Sequence, residues 1–235
     1  MSRQLLPQDM REVVRASIVI GVASGIYAIS FGVLSVSAGG SVLQTCLLSL
    51  LVFTGASQFS AVSVISAGGS VASAVSGGLL LAARNGVYGL ALSPSIRGSL
   101  AKRLLAAQFV IDETTAMTSA APDQRSKDWA FWSCAVMLFT CWNLGTLVGA
   151  LAGSSIDPKT FGLDAAFPVV FVAMLAPHLA TRRGRRAAII GAFVTISLTP
   201  FLPIGLPILL SAVGVFVGLL PHDEVSASAA DEVSQ

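Results

Sequence analysis

ASIVIGVASGIYAISFGVLSVSA, residues 16–38, is the stretch whose reading decides the fold. It contains no charged side chain, and as a helix it measures about 34 Å at 1.5 Å per residue, enough to cross a hydrocarbon core of about 30 Å. It is also too long for the apolar segment of a cleavable leader, roughly 7–15 residues, so no such leader is expected. The lead-in before it, residues 1–15, carries Arg3, Arg11, Glu12 and Arg15 and reads as an interfacial segment. Further apolar runs follow at 42–66, 71–93, 104–121, 129–152, 165–181 and 187–220. The last is too long for one helix, and Pro200, Pro203 and Pro207 predict a break near Thr199–Pro203. The expectation is an all-α polytopic membrane protein, a bundle of seven or eight transmembrane helices with some broken or re-entrant. Residues 16–220 form its single transmembrane domain, and an acidic, disordered tail follows at 221–235.

Composition agrees. Charged residues make up 11% of the chain and hydrophobic ones 54%, whereas a soluble domain carries about 25% charged residues. A net charge of +2 gives no footprint for nucleic acid, which is excluded as a partner. The lipid bilayer is the partner that this surface implies. Cys46, Cys134 and Cys141 all sit in apolar runs with no CxxC or Cys/His cluster, so they read as packing residues and no metal or cofactor is expected.

Small residues organise the runs. Ser37-Ala38-Gly39-Gly40-Ser41-Val42 recurs as Ser66-Ala67-Gly68-Gly69-Ser70-Val71, in each case a glycine to end one helix and a serine to cap the next. Gly21/Gly25, Gly145/Gly149/Gly153 and Gly214/Gly218 have the small-xxx-small spacing of close helix pairs. Counting Lys and Arg does not choose the side of the N-terminus. If 104–121 spans, the N-terminus is inside; if it is an amphipathic loop helix, the N-terminus is outside, and both versions balance equally well. Both place Arg182, Arg183, Arg185 and Arg186 in the cytoplasm.

Only Arg84, Asp112 and Glu113 bring charge into the apolar runs. Charge at membrane depth is costly and marks a pathway or a binding site. Measured along straight helices, Arg84 lies about 20 Å and Asp112 about 18 Å from the same face, so the two can pair. Successive helix residues project about 100° apart, so Asp112 and Glu113 cannot both face Arg84, and one carboxylate is left for a cation or a proton. Phe53-Thr54-Gly55-Ala56-Ser57-Gln58-Phe59-Ser60, in the middle of 42–66, reads either as an interrupted helix that exposes backbone groups or as an unbroken helix packed on a neighbour. Thr140 and Asn143 read as interhelical glue, and His178 as a packing residue.

The ordered set Ser30-Phe31-Gly32-Val33-Leu34, Phe53 to Phe59, Ala83-Arg84-Asn85-Gly86-Val87-Tyr88-Gly89 and Ile111-Asp112-Glu113-Thr114-Thr115-Ala116 resembles the AzlC family, the large membrane subunit of bacterial branched-chain amino acid exporters. The chain departs from the family pattern at Ser30, where a proline is common, and in the order Arg84-Asn85. The resemblance implies export of aliphatic amino acids across the bacterial cytoplasmic membrane, together with a small AzlD-type membrane subunit. With no nucleotide-binding motif in the sequence, coupling to the proton gradient is expected. On this reading Arg84 with Asn85 receives the substrate carboxylate, and Asp112 or Glu113 receives the ammonium. Thr54, Ser57 and Gln58 supply polar contacts. Two other classes are a non-transporting scaffold and an intramembrane serine hydrolase. The latter lacks a GxSG-type motif at Ser24-Gly25 or Ser76-Gly77 and has only His178 at depth.

Overall fold

In the computed structural model, the residues described are 7–153, 178–204 and 206–219, with Val169, Val172, Leu175 and Ala176. They are helical, with no strand among them. The chain divides into two compact units, Met1–Val170 and Phe171–Gln235. In the first lie α1 (Pro7–Ser37), α2 (Val42–Leu51), α3 (Ala56–Ser66), α4 (Val71–Leu92), α5 (Leu100–Ala107), α6 (Asp112–Ala120) and α7 (Gln124–Gly153). In the second, α8 (Arg182–Leu198) packs on α9 (Leu206–Ser211) and α10 (Val213–Leu219). The chain breaks after Leu198, where the prolines predict it. Gly214 approaches the backbone of Ala187 and Gly191. Most of the expected run 165–181 and the tail 221–235 lie outside the described residues. His178 opens a short 3-10 turn and is exposed, with its carbonyl accepting from the Thr181 hydroxyl at 3.1 Å.

The first unit is built on a close, parallel pair. Gly21 lies against Met137, Gly25 against Cys141, Gly149 against Ile29 and Gly153 against Val33. Both series rise together, so α1 and α7 run in the same direction with their starts side by side. Glycine lets the backbones approach to a distance that a Cβ would block. The exterior is inverted relative to a water-soluble fold: Val19, Ile26, Leu79, Leu90, Val136 and Leu144 are exposed, while Ser17, Ser30, Ser35, Thr45, Ser49 and Thr146 are buried. Hydrocarbon solvates such an exterior and water does not. Among the described residues, two helices are long and apolar enough to cross a membrane by themselves, Met10–Ser37 and Gln124–Gly153.

The repeated turns form as the glycines and serines predict. Gly39 (φ 98°) and Gly68 (φ 84°) take the left-handed conformation, and Ser41 and Ser70 cap α2 and α4. Between the turns the path differs from a crossing helix. α2 starts beside the end of α1, with Ser35 and Thr45 hydroxyls 2.8 Å apart, and descends α7 past Thr146, which accepts from Ser49 at 3.1 Å. At Gly55 (φ 59°) the chain turns back. α3 then climbs, stacking Phe59 on Tyr27 at 4.7 Å and setting it edge-on to Phe31 at 5.4 Å. It meets α4 antiparallel, with Ser57 beside Gly78 and Ser60 beside Gly77. α4 runs the other way to Leu92, buried with Phe131 near the start of α7.

A second hairpin rises from that end. α5 lies along the end of α4, with Ala106 and Val110 against Leu92. Phe109 reaches Phe139 at 5.3 Å, and α6 returns to Gln124. Neither 42–66 nor 104–121 is therefore a continuous crossing helix. Each is a pair of half-helices that goes in and comes back, from opposite ends of α1 and α7. Hydropathy records that a segment is apolar, not which way it leaves, so both folds satisfy it equally.

Candidate functional site

The two hairpin tips meet beside α7, with Phe53 buried and Gln108 at the exposed edge of the contact. Phe53 and Phe109 approach to 6.3 Å between ring centroids. The Gln108 amide donates to the carbonyls of both Leu50 and Leu51, at 3.2 Å each, which answers acceptors that the end of α2 leaves open. Within the first tip, the Gln58 amide donates to Leu48 O at 3.1 Å and its oxygen accepts from the Gly55 N–H at 3.2 Å. The second tip repeats this device, as Thr114 Oγ1 accepts from the Ile111 N–H at 3.0 Å. Residues 53, 55 and 58 thus correspond to 109, 111 and 114 at a constant offset of 56 (109 − 53, 111 − 55, 114 − 58). The two hairpins are structural counterparts of opposite direction, the arrangement that inverted repeats give transporters.

Charge gathers beside these tips. Arg84, near the middle of α4, pairs with Asp112, the first residue of α6, at 2.7 Å, with both side chains 28% exposed. Glu113 is half-buried and makes no ion pair among the described residues. Tyr88, one turn beyond Arg84, is close enough to Asp112 for its hydroxyl to interact with that carboxylate. The pairing expected from helix depths forms, although the straight-helix count from Leu104 does not describe the path. Asp112 reaches Arg84 because the break at Gln108–Ile111 delivers it at the head of a short helix.

The other predicted residues divide into two kinds. Gln58 is engaged at both its oxygen and its nitrogen in holding the first tip and is structural in this conformation. Thr54 Oγ1, Ser57 Oγ and Asn85 Oδ1 are buried without a hydrogen-bond partner, and so are Thr115 Oγ1, Trp142 Nε1 and Asn143 Oδ1. Buried polar atoms are nearly always satisfied, so these six side-chain atoms still have hydrogen bonds to make. Trp142 and Gln108 are the residues that sequence reasoning missed. A tryptophan in an apolar run reads as core, and only the contact of its ring with Gly55 brings it to the tip. Asn143 is not interhelical glue: its amide donates to Phe139 O of its own helix at 2.8 Å, and Thr140 is exposed. The cysteines are free, and no cluster able to hold a metal occurs among the described residues.

Among the described residues, an apolar exterior around opposed broken helices, with the Arg84–Asp112 pair beside their tips, is that of a helical membrane protein. A family model described as AzlC protein matches residues 18–156, more than half of the chain. The chain belongs to the AzlC family. It is 27% identical over 71% of its length, and 74% of the relative's, to a protein of Helicobacter pylori (strain ATCC 700392 / 26695) named as an uncharacterized membrane protein. It is 23% identical to the branched-chain amino acid transport protein AzlC of Bacillus subtilis (strain 168), over 72% of this chain and 67% of that one. It is 25% identical to the inner membrane protein YgaZ of Escherichia coli (strain K12), over 73% and 74%. No solved structure matches.

Proposed function

We propose that this membrane protein exports branched-chain, aliphatic amino acids by secondary transport, as the large subunit of a two-component permease driven by the proton gradient. The observation that carries the reading is the Arg84–Asp112 pair beside two opposed hairpin tips, with the Glu113 carboxylate next to it. A pair that served only to fix two helices would not leave a second carboxylate, Glu113, unpaired next to it. Glu113 is the group for a substrate ammonium or a transported proton, since the two compete for one negative charge. The name of the Bacillus subtilis relative supports the substrate class. The small partner would be an AzlD-type membrane subunit. The transport name of the Bacillus subtilis relative favours a carrier over an enzyme.

The hairpins also break the tie in orientation. With both hairpins turning back, the start of α1, the loop after α4 and the start of α7 share one end. That end carries Arg11, Arg15, Arg97, Lys102, Arg103, Arg125 and Lys127, whereas the turns at Gly39 and Gly68 carry no Lys or Arg. The positive-inside rule then places the N-terminus in the cytoplasm. By the same rule we read the Arg182–Arg186 cluster as cytoplasmic.

The test is efflux. Cells expressing the protein with its partner and preloaded with valine are expected to export it at least about tenfold more slowly when Arg84→Gln or Asp112→Asn is introduced, given what breaking a paired charge costs. Glu113→Gln is expected to abolish the response to an imposed proton gradient. Efflux equal to wild type in all three would remove the site.

A further inference from the structure

We infer that the N-terminus of α3 is the seat of the substrate's carboxylate, with the Ser57 hydroxyl and the Trp142 indole N–H as its side-chain donors. This rests on the export reading, and it moves the carboxylate away from Arg84, whose charge Asp112 already takes.

Four features point the same way. The first turn of an α-helix has N–H groups without intrahelical acceptors. In α3, which has 11 residues, no side chain of the N-cap accepts from them; Gln58 answers only the Gly55 N–H outside the helix. That turn is buried, Ser57 being 4% exposed, so water is not at hand to answer them. Ser57 Oγ in that turn and Trp142 Nε1, on a side chain 5% exposed, have no partner. Indole N–H is a donor only, and the hydroxyl is a donor as well as an acceptor. The six-membered ring of Trp142, at Cη2, lies 3.3 Å from where a Cβ of Gly55 would stand, so the indole packs on this turn. A set of buried donors with a helix dipole behind it calls for an anion.

The choice of α3 over α6 follows from sequence. α6 begins with Asp112 and Glu113, so its positive end is neutralised by its own carboxylates, while the first turn of α3 has no acidic residue. The two counterpart tips are thus chemically opposite, one anion-seeking and one anionic. A zwitterion placed between them meets the complement of each of its charges.

The test uses the purified full chain and three probes: valine, valinamide, which lacks the carboxylate, and isovalerate, which lacks the ammonium. Calorimetric titration of wild type is expected to give valine at least about tenfold tighter binding than valinamide, the usual scale for hydrogen bonds to a charged group. Ser57→Ala and Trp142→Phe, which each remove one donor, are expected to weaken valine about tenfold and leave valinamide unchanged. Equal binding of valine and valinamide by wild type overturns the seat without recourse to any variant, as do two variants that bind valine normally. Isovalerate binding that depends on Ser57, with no valine binding, would keep the seat and remove the export reading. Failure of both carboxylates to bind removes the seat.

Discussion

Glycine does opposite things at different places in this chain, and the difference is measurable. A Cβ on Gly145 would fall on the carbonyl oxygen of Gly25, where α1 and α7 touch, whereas one on Gly86 meets nothing within 4 Å. Overpacking of this kind costs roughly 1–3 kcal/mol. Gly145→Ala is therefore expected to lower the melting temperature of the purified protein clearly, and Gly86→Ala to leave it unchanged or raise it, since alanine is favoured over glycine inside a helix by about 0.5–1 kcal/mol. Equal shifts would mean that α1 and α7 are not in close contact. Gln108 gives a second residue-scale test. Gln108→Leu keeps the volume but strands the Leu50 and Leu51 carbonyls, and slower transport with unchanged affinity for valine is expected, because the substitution touches the union of the tips and not the proposed carboxylate seat. Rescue by Gln108→Asn would be incomplete, since the shorter side chain falls short by one methylene.

At the scale of elements, α7 depends on a cap that acid removes. Asp123 accepts from the Ser126 N–H at 3.1 Å and from its hydroxyl at 2.6 Å, and these bonds hold its carboxyl below the usual carboxylate range. A lowered folded-state pKa stabilises above the unfolded value, and that stabilisation is lost as pH falls through the folded one. Amide exchange at the start of α7 is thus expected to lose protection in acid relative to an Asp123→Asn variant, which keeps an acceptor at every pH. Identical protection in the two proteins at low pH would show that the cap is idle. What was legible in the sequence also divides by element. The capped turns, the glycine pairs and the break after Leu198 follow from local chemistry, and the Arg84–Asp112 pairing from the scarcity of charge in the apolar runs. The hairpins do not. Phe53 to Ser60 admits a broken or an unbroken helix, and a break in an apolar segment does not reveal whether the chain continues or returns. That decision is made by long-range contacts, of Phe59 with Tyr27 and of Leu92 with Phe131. The role of Trp142 is hidden for the same reason, as its partner Gly55 is remote in sequence.

For the whole first unit, the decisive prediction concerns sidedness. If 42–66 crossed the membrane, the turns at Gly39 and Gly68 would face opposite compartments; with hairpins they face the same one. Single cysteines at Gly39 and Ser66, in a background without Cys46, Cys134 and Cys141, are expected to react with an impermeant thiol reagent from outside intact cells. Cysteines at Arg11, Arg97 and Arg125 are expected to be protected. Labelling of Gly39 and Ser66 from opposite sides would overturn the hairpin topology.

The contact between the tips has a mechanical consequence. α1 and α7 interlock from Gly21 to Gly153 through close backbone contacts, whereas the tips are joined by one amide shared between two carbonyls and by the edges of two aromatic rings. A hydrogen bond of this kind contributes about 1 kcal/mol net, not far above thermal energy. The unit therefore has a stiff post and a seam that ordinary breathing can part. Strain delivered anywhere in it will be released along that seam first.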